Sequence, residues 1–217
     1  MAGVGNTDVV LLRILSKKRV IQGDEIRIVH NHSYRLVAMG EQDECKDRKE
    51  SDPLFMRMKY AAYDGLDEVR ALLEEFPAAL EARSLSGETA LHWWAIEGHA
   101  DAVKLLIEHG AKIDTRDDII RVSPLMSVSM IGRTSMARLL IESGAEVCAV
   151  DTHGDTPLHH AAGSNRLDAV ELLLCNGADA LAKNELGETP LDVAKLMNAK
   201  DTYTFLAADK QQDSESN

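Results

Sequence analysis

A mainly α fold, built of helix-turn-helix units stacked into a solenoid, is predicted by this sequence on three grounds. The block Gly154-Asp155-Thr156-Pro157-Leu158-His159-His160-Ala161-Ala162 has copies on both sides, Gly87-Glu88-Thr89-Ala90-Leu91-His92 before it and Gly187-Glu188-Thr189-Pro190-Leu191-Asp192 after it. Val122-Ser123-Pro124-Leu125-Met126 is a degraded copy between them. The leucines Leu91, Leu125, Leu158 and Leu191 are spaced 34, 33 and 33 residues apart, and a second landmark keeps the same step at Gly110-Ala111, Gly144-Ala145 and Gly177-Ala178. Aromatic residues are only 4% of the chain while Leu and Ala abound, which suits stacked helices rather than a sandwich or barrel.

Each unit has a physical reading. Thr89, Ser123, Thr156 and Thr189 suit an N-cap, where a hydroxyl accepts from the orphan N–H groups of the first turn. Pro124, Pro157 and Pro190 follow at the first helical position, where a missing N–H costs nothing. The small residues Ala95, Ala161, Ala162 and Ala194 let this inner helix pack closely on its neighbours. An outer helix follows a short turn, its apolar stripe being Val103-Leu105-Leu106, then Ala137-Leu139-Leu140-Ile141, then Val170-Leu172-Leu173-Leu174. Gly110, Gly144 and Gly177 stand where that helix must stop.

The threonine-proline-leucine-histidine block and its 33-residue step resemble the ankyrin repeat. The resemblance implies hairpin-like fingers between the helix pairs, and a histidine that joins its own threonine to the backbone of the next unit. His92 and His159 fit that structural role, whereas Met126 and Asp192 cannot fill it. The units run 53–86 (divergent), 87–119, 120–153 and 154–186, with a C-terminal cap at 187–208 whose second helix reads as short and irregular. Residues 209–217 are polar and expected to be disordered.

Residues 1–51 do not belong to the repeat. A short helix or strand is expected at 9–15, and two strands at 26–29 and 33–38 with a turn at 30–32. A further turn at Gly23-Asp24 and a charged linker from 41 to 52 complete the segment. Lys17-Lys18-Arg19 is too short for a localisation patch, and His30 and His32 lack a third partner for a metal. Met56, Met58, Tyr60 and Tyr63 make the first unit more apolar than a free cap should be, so residues 1–51 are expected to shield its outer face.

Composition excludes several function classes. Residues 1–51 hold 9 Lys and Arg against 8 Asp and Glu, so the repeats carry −13 of the total charge of −12. Such a charge disfavours nucleic acid and favours a protein partner with a basic surface. No run approaches the ~18 apolar residues of a membrane span, and Val9-Val10-Leu11-Leu12 is too short for a signal peptide. Cys45, Cys148 and Cys175 form no paired motif, which points to a reducing cytoplasmic or nuclear setting. No phosphate loop, nucleophile elbow or zinc-protease motif is present, so neither an enzyme nor a cofactor is expected.

What the resemblance implies is a non-enzymatic interaction module, monomeric alone, binding through finger tips and the exposed side of the inner helices. Departures from the pattern mark the candidate residues. The third unit has one extra residue in its finger, Asp117-Asp118-Ile119-Ile120-Arg121-Val122, whose isoleucines either contact a partner or fold down over the stack. Trp93 corresponds to Ser127, His160 and Val193 in a groove-facing place, whereas Trp94 corresponds to Val128, Ala161 and Ala194 and should be core. Ile96, Glu97, Met130 and Ile131 extend the patch, and His153 and His160 complete it. Trp93 and the two isoleucines would form an apolar centre within an acidic concave surface, with Glu97, Asp117 and Asp118 as its rim. The alternatives are an assembly chaperone or inhibitor masking a basic protein, and a regulatory or targeting subunit that engages an enzyme through residues 1–51.

Overall fold

The computed structural model describes residues 25–27, 35–37 and 52–215. The chain divides into two units, Met1–Arg48 and Lys49–Asn217. In the first, β1 (Glu25–Arg27) and β2 (Arg35–Val37) pair antiparallel, with Ile26 opposite Leu36. Both strands fall inside or beside the segments expected to be extended. The element expected at 9–15, the turns at 23–24 and 30–32, the basic triplet at 17–19 and the linker to residue 51 lie outside the described residues.

The second unit is a double layer of helices. In chain order its pairs are α1 (Pro53–Asp64) and α2 (Leu66–Glu75), α3 (Ala90–Glu97) and α4 (Ala100–Glu108), and α5 (Pro124–Ile131) and α6 (Thr134–Glu142). Then come α7 (Pro157–Gly163) and α8 (Leu167–Cys175), and α9 (Pro190–Leu196) and α10 (Lys200–Glu215). The odd-numbered inner helices pack on one another in chain order, and each carries its own outer helix.

The chain starts each inner helix by the same device. The hydroxyls of Ser123, Thr156 and Thr189 accept from the N–H groups of Met126, His159 and Asp192, and a proline fills the first helical position of α5, α7 and α9. In α1, Asp52 does this work, accepting from Leu54 N at 2.8 Å. Leu91, Leu125 and Leu158 are fully buried beneath these caps. Each contributes about 1.5–3 kcal/mol by leaving water.

Two histidines rivet neighbouring pairs. His92 Nδ1 accepts from Thr89 N at 3.3 Å, which leaves Nε2–H to donate to Val122 O of the next finger at 3.1 Å. His159 repeats the arrangement with Thr156 N at 3.1 Å and Glu188 O at 3.1 Å. Asp192, expected to be unable to serve, fills the inward half of the role. Its Oδ2 accepts from Thr189 N at 3.0 Å and Thr189 Oγ1 at 2.7 Å, because a carboxylate can accept both bonds as an imidazole nitrogen does in the other units. Met126 has no such donor. It lies fully buried with Val122 and Ala149, and Ile120 packs against them.

The last outer helix corrects the sequence reading. It is neither short nor irregular but spans 16 residues, running through most of the stretch expected to be a disordered tail. Residues 205–215 contain neither Gly nor Pro. A helix already nucleated on the stack therefore extends at little cost.

The third pair is expected to be the weak joint. It lacks the imidazole rivet, and Ser129, where Ala95 and Ala162 stand elsewhere, has a buried Oγ with no hydrogen-bond partner. Ser129→Ala should raise unfolding free energy by about 1 kcal/mol, since an unsatisfied buried hydroxyl costs roughly that or more. In hydrogen exchange, residues 120–150 should open more readily than 154–186. A denaturant midpoint unmoved by the alanine, or the reverse order of exchange, would remove this account.

Candidate functional site

Between the helix pairs lie four fingers, each held by its first polar side chain. In the second finger Asp117 Oδ1 accepts from the N–H groups of Ile119, Ile120 and Arg121 at 3.1, 2.9 and 2.8 Å. Asp151 Oδ1 accepts from His153 N and Asp155 N, and Asn184 Oδ1 from Leu186 N and Glu188 N, in the next two. The long finger lacks glycine at its tip, so Arg121 takes the left-handed backbone, with φ +60°, that Gly87, Gly154 and Gly187 take in the others. Gly154 could not be replaced cheaply, because an added Cβ would stand 2.9 Å from Glu185 N.

One backbone hydrogen bond joins each finger to the next: Asp118 N to Ser86 O at 2.9 Å, Thr152 N to Ile120 O at 3.0 Å, and Glu185 N to His153 O at 2.8 Å. Arg83 and Arg116, one period apart, brace the same joints. Arg83 Nη1 donates to Gly87 O and Arg116 O, and Arg116 Nη1 donates to Arg121 O and Val150 O, three of these four bonds at 2.8 Å. The result is a continuous ribbon rather than four loose loops.

That ribbon carries a ridge of large apolar side chains. Leu85, Ile119 and Leu186 at the finger tips are 66%, 63% and 57% exposed, and Val150 and Leu181, earlier in their fingers, are 52% and 62% exposed. Sequence reasoning reached only Ile119. Leu85 and Leu186 sit one or two residues before the left-handed glycine of a turn, a place that faces solvent, and this signal was available.

The other candidate residues fall differently. Ile120 folds down against Val122, Met126 and Ala149, so only its neighbour Ile119 projects. Asp117 is half-buried, and its Oδ1 is engaged by the turn rather than free at a rim. Asp118 is exposed and pairs with Arg83 at 3.3 Å, and Arg121 is exposed. Ile96, Glu97, Met130 and Ile131 are half-buried along the inner-helix face. Trp94 is fully buried, as expected of core, with Nε1 donating to Lys59 O at 3.5 Å.

Trp93 corrects the expectation of an open anchor. It is only 8% exposed, with the Lys59 ammonium 3.7 Å from its ring centroid. A side chain 34 residues earlier closes the indole face that the motif leaves open. Tyr60 and Tyr63 stand beside it, each 54% exposed, and Tyr63 meets His99 edge-on at 4.9 Å. Burial, then the Glu97 charge and Tyr60, raise the Tyr63 phenol above its ordinary value.

His160 bridges helix and finger through Nε2, 3.0 Å from Asp151 Oδ2, and His153 Nδ1 lies 3.9 Å from Asp151 Oδ1. Burial pushes the Asp151 carboxyl up. The His160 hydrogen bond and charge, with the N–H groups of His153 and Asp155, outweigh it and hold the group below its ordinary value. Both histidines thus serve the finger's attachment.

The negative charge is not spread over the inner-helix face. Glu97 is the one carboxylate in α3, α5 and α7, whereas α2, α4, α6 and α8 carry Asp67, Glu68, Glu74, Glu75, Asp101, Glu108, Glu142, Asp168 and Glu171. The expected acidic concavity is therefore an almost uncharged face flanked by acidic outer helices. Among the described residues no cluster of three or more His, Cys, Asp or Glu could hold a metal ion, and no helix is long and apolar enough to cross a membrane.

Comparison with known proteins agrees with this architecture. The family model described as ankyrin repeats (3 copies) matches residues 28–117 and 118–184. Protein PhlB of Serratia liquefaciens is 33% identical over 129 residues, covering 59% of this chain and 56% of that protein. Ankyrin repeat and SOCS box protein 6 of Homo sapiens is 40% identical over 78 residues, 36% of this chain and 18% of its own length. Protein phosphatase 1 regulatory subunit 27 of Mus musculus is 34% identical over 92 residues, 42% of this chain and 59% of that protein. The aligned region thus spans about half the length of the first relative and under a fifth of the second.

Proposed function

Because the chain belongs to the ankyrin-repeat family, whose repeats make protein-protein interaction modules, we propose that it is a non-enzymatic adaptor whose partner docks along the finger ridge. The observation that carries this reading is that Leu85, Ile119, Val150, Leu181 and Leu186 are each more than half exposed on fingers joined by backbone hydrogen bonds. A ridge of that kind loses free energy in water and gains it under a partner. Ile96, Met130 and Ile131 extend the apolar contact onto the inner helices.

The partner is a protein with a basic surface. Acidic outer helices and finger residues such as Asp118 and Glu185 draw it in, and the apolar ridge holds it. Lys and Arg stems in such a partner could lie on the leucines while their heads meet the acids. The module acts as a monomer in the cytoplasm or nucleus.

The test is affinity capture of the partner, followed by binding measurements on a Leu85→Ser, Ile119→Ser, Leu186→Ser triple variant whose fold has been verified. A loss of about 2 kcal/mol or more is expected if these side chains are hot spots, and rising salt should slow association of the wild type. Full affinity in the triple variant, with loss in an Ile96→Ser, Met130→Ser variant, would move the site to the inner-helix face.

A second reading, a regulatory subunit of an enzyme engaged through residues 1–51, is favoured by the similarity to a protein named as a phosphatase regulatory subunit. Copurification of an enzymatic activity that disappears when residues 1–51 are deleted would select it. Release of a captured basic protein to a further acceptor would instead select the assembly chaperone.

A further inference from the structure

At the N-terminal end of the inner-helix face, Lys59 occupies the unit position that His92 and His159 hold in later pairs. An ammonium has donors only and cannot accept from a capping group as those imidazoles do. It lies across Trp93 instead, 3.7 Å from one ring centroid and 5.8 Å from that of Tyr60. Lys59 is 9% exposed, yet among the described residues no carboxylate or carbonyl is bonded to its ammonium.

The natural counter-ion within the chain is engaged elsewhere. Glu88 feels the Lys59 charge, but its Oε2 accepts from Ser86 Oγ at 2.9 Å and Ser84 Oγ at 3.3 Å. Trp93 adds a second donor. Its Nε1–H is buried and among the described residues makes no hydrogen bond of good geometry, the nearby Tyr63 phenol being the one oxygen whose ionisation it eases. The half-exposed side chains of Tyr60 and Tyr63 flank the pair, and among the described residues no carboxylate or carbonyl is bonded to the Lys59 ammonium or to Trp93 Nε1.

We propose that Lys59 and Trp93, walled by Tyr60 and Tyr63, form a carboxylate-binding site that takes an acidic side chain or the terminal carboxylate of a protein partner. Cation–π contact holds the ammonium in place without neutralising it, so an incoming carboxylate gains a preordered, poorly hydrated cation. The Glu97 charge, felt by Tyr63, opposes anions arriving from its side and so restricts the approach. This site goes beyond the finger ridge and does not rest on it, because loss of ridge binding would leave the response described next unchanged.

The experiment uses the full ¹⁵N-labelled chain and its two indole N–H signals, with Trp94 as the internal control. Three probes are titrated: N-acetylglutamic acid α-amide for a side-chain carboxylate, N-acetylalanine for a chain terminus, and neutral N-acetylglutamine amide. At least one carboxylate probe should shift the Trp93 signal saturably while Trp94 stays in place, and the tighter of the two identifies the source. Lys59→Met should weaken that response about tenfold or more, as for loss of a charge-assisted hydrogen bond. An equal response to the neutral probe, no saturable shift, or an unchanged response in Lys59→Met would overturn the proposal. If Lys59→Met fails to fold, the wild-type contrast between acid and amide decides alone.

Discussion

Trp94→Ala should remove about 3–5 kcal/mol of unfolding free energy, the usual cost of emptying a buried aromatic site. The expectation is pointed because alanine is what the motif itself prefers here, as Ala161 and Ala194 show. Trp94 is fully buried in the main core cluster, where Met58, Leu91 and Leu125 are themselves fully buried, so the surroundings relax only partly into the space it would leave. The substitution also strips the donor that reaches Lys59 O across the first junction at 3.5 Å. Chemical denaturation measures the loss, and Trp94→Phe should recover much of it by keeping a ring. A cost below about 1 kcal/mol would show that the first two pairs close up on the smaller residue, contrary to the partial relaxation on which the estimate rests.

Acid should weaken the stack well above the range in which carboxylates titrate. Burial lowers the His92 pKa from 6.5 to about 4, and burial likewise lowers that of His159. The unfolded chain then binds more protons than the folded one between those values, so stability is full above pH 6.5 and falls as pH drops toward 4. The His92 gap alone is worth about 3 kcal/mol. Asp151, held below its ordinary value, extends the loss to still lower pH. Glu88 opposes it, since burial raises its pKa and its folded form gains protons first. Unfolding free energies measured from pH 7.5 to 4.5 should decline, with a flatter slope in His92→Gln. A pH-independent stability over that window would refute the assignment of His92 as a buried neutral rivet.

Much of this architecture was legible because its causes are local or strictly periodic. The caps at Ser123, Thr156 and Thr189 follow from residues adjacent in the chain. The 33-residue step placed the helix pairs, and the family resemblance supplied the rivet role that His92 and His159 perform. The functional surface was less legible. Trp93 and Ile119 stood out equally as anomalies, yet one is closed by Lys59 and the other projects from a turn pinned by Asp117. Asp117 looked like a rim acid because nothing in its type distinguishes a carboxylate that meets solvent from one that holds three amides. The polar tail beyond residue 208 looked disordered because composition does not register that a preceding helix has already met the nucleation cost.

The sequence by itself determined the repeat, its period, the ends of the inner helices and the identity of the junction histidines. Each of these depends on side chains within one turn of helix or on the repetition of a single unit. Only the tertiary structure decided which apolar side chains face water, where the negative charge gathers and which donors are left without acceptors. Those properties depend on what a unit's neighbour covers. In a stack the neighbour arrives some 33 residues away, as Lys59 does over Trp93 and Arg83 does at the finger of Arg116. A motif specifies the shape of each unit, but exposure and pairing belong to the contacts between units, where Trp93 was closed and the finger ridge was left open.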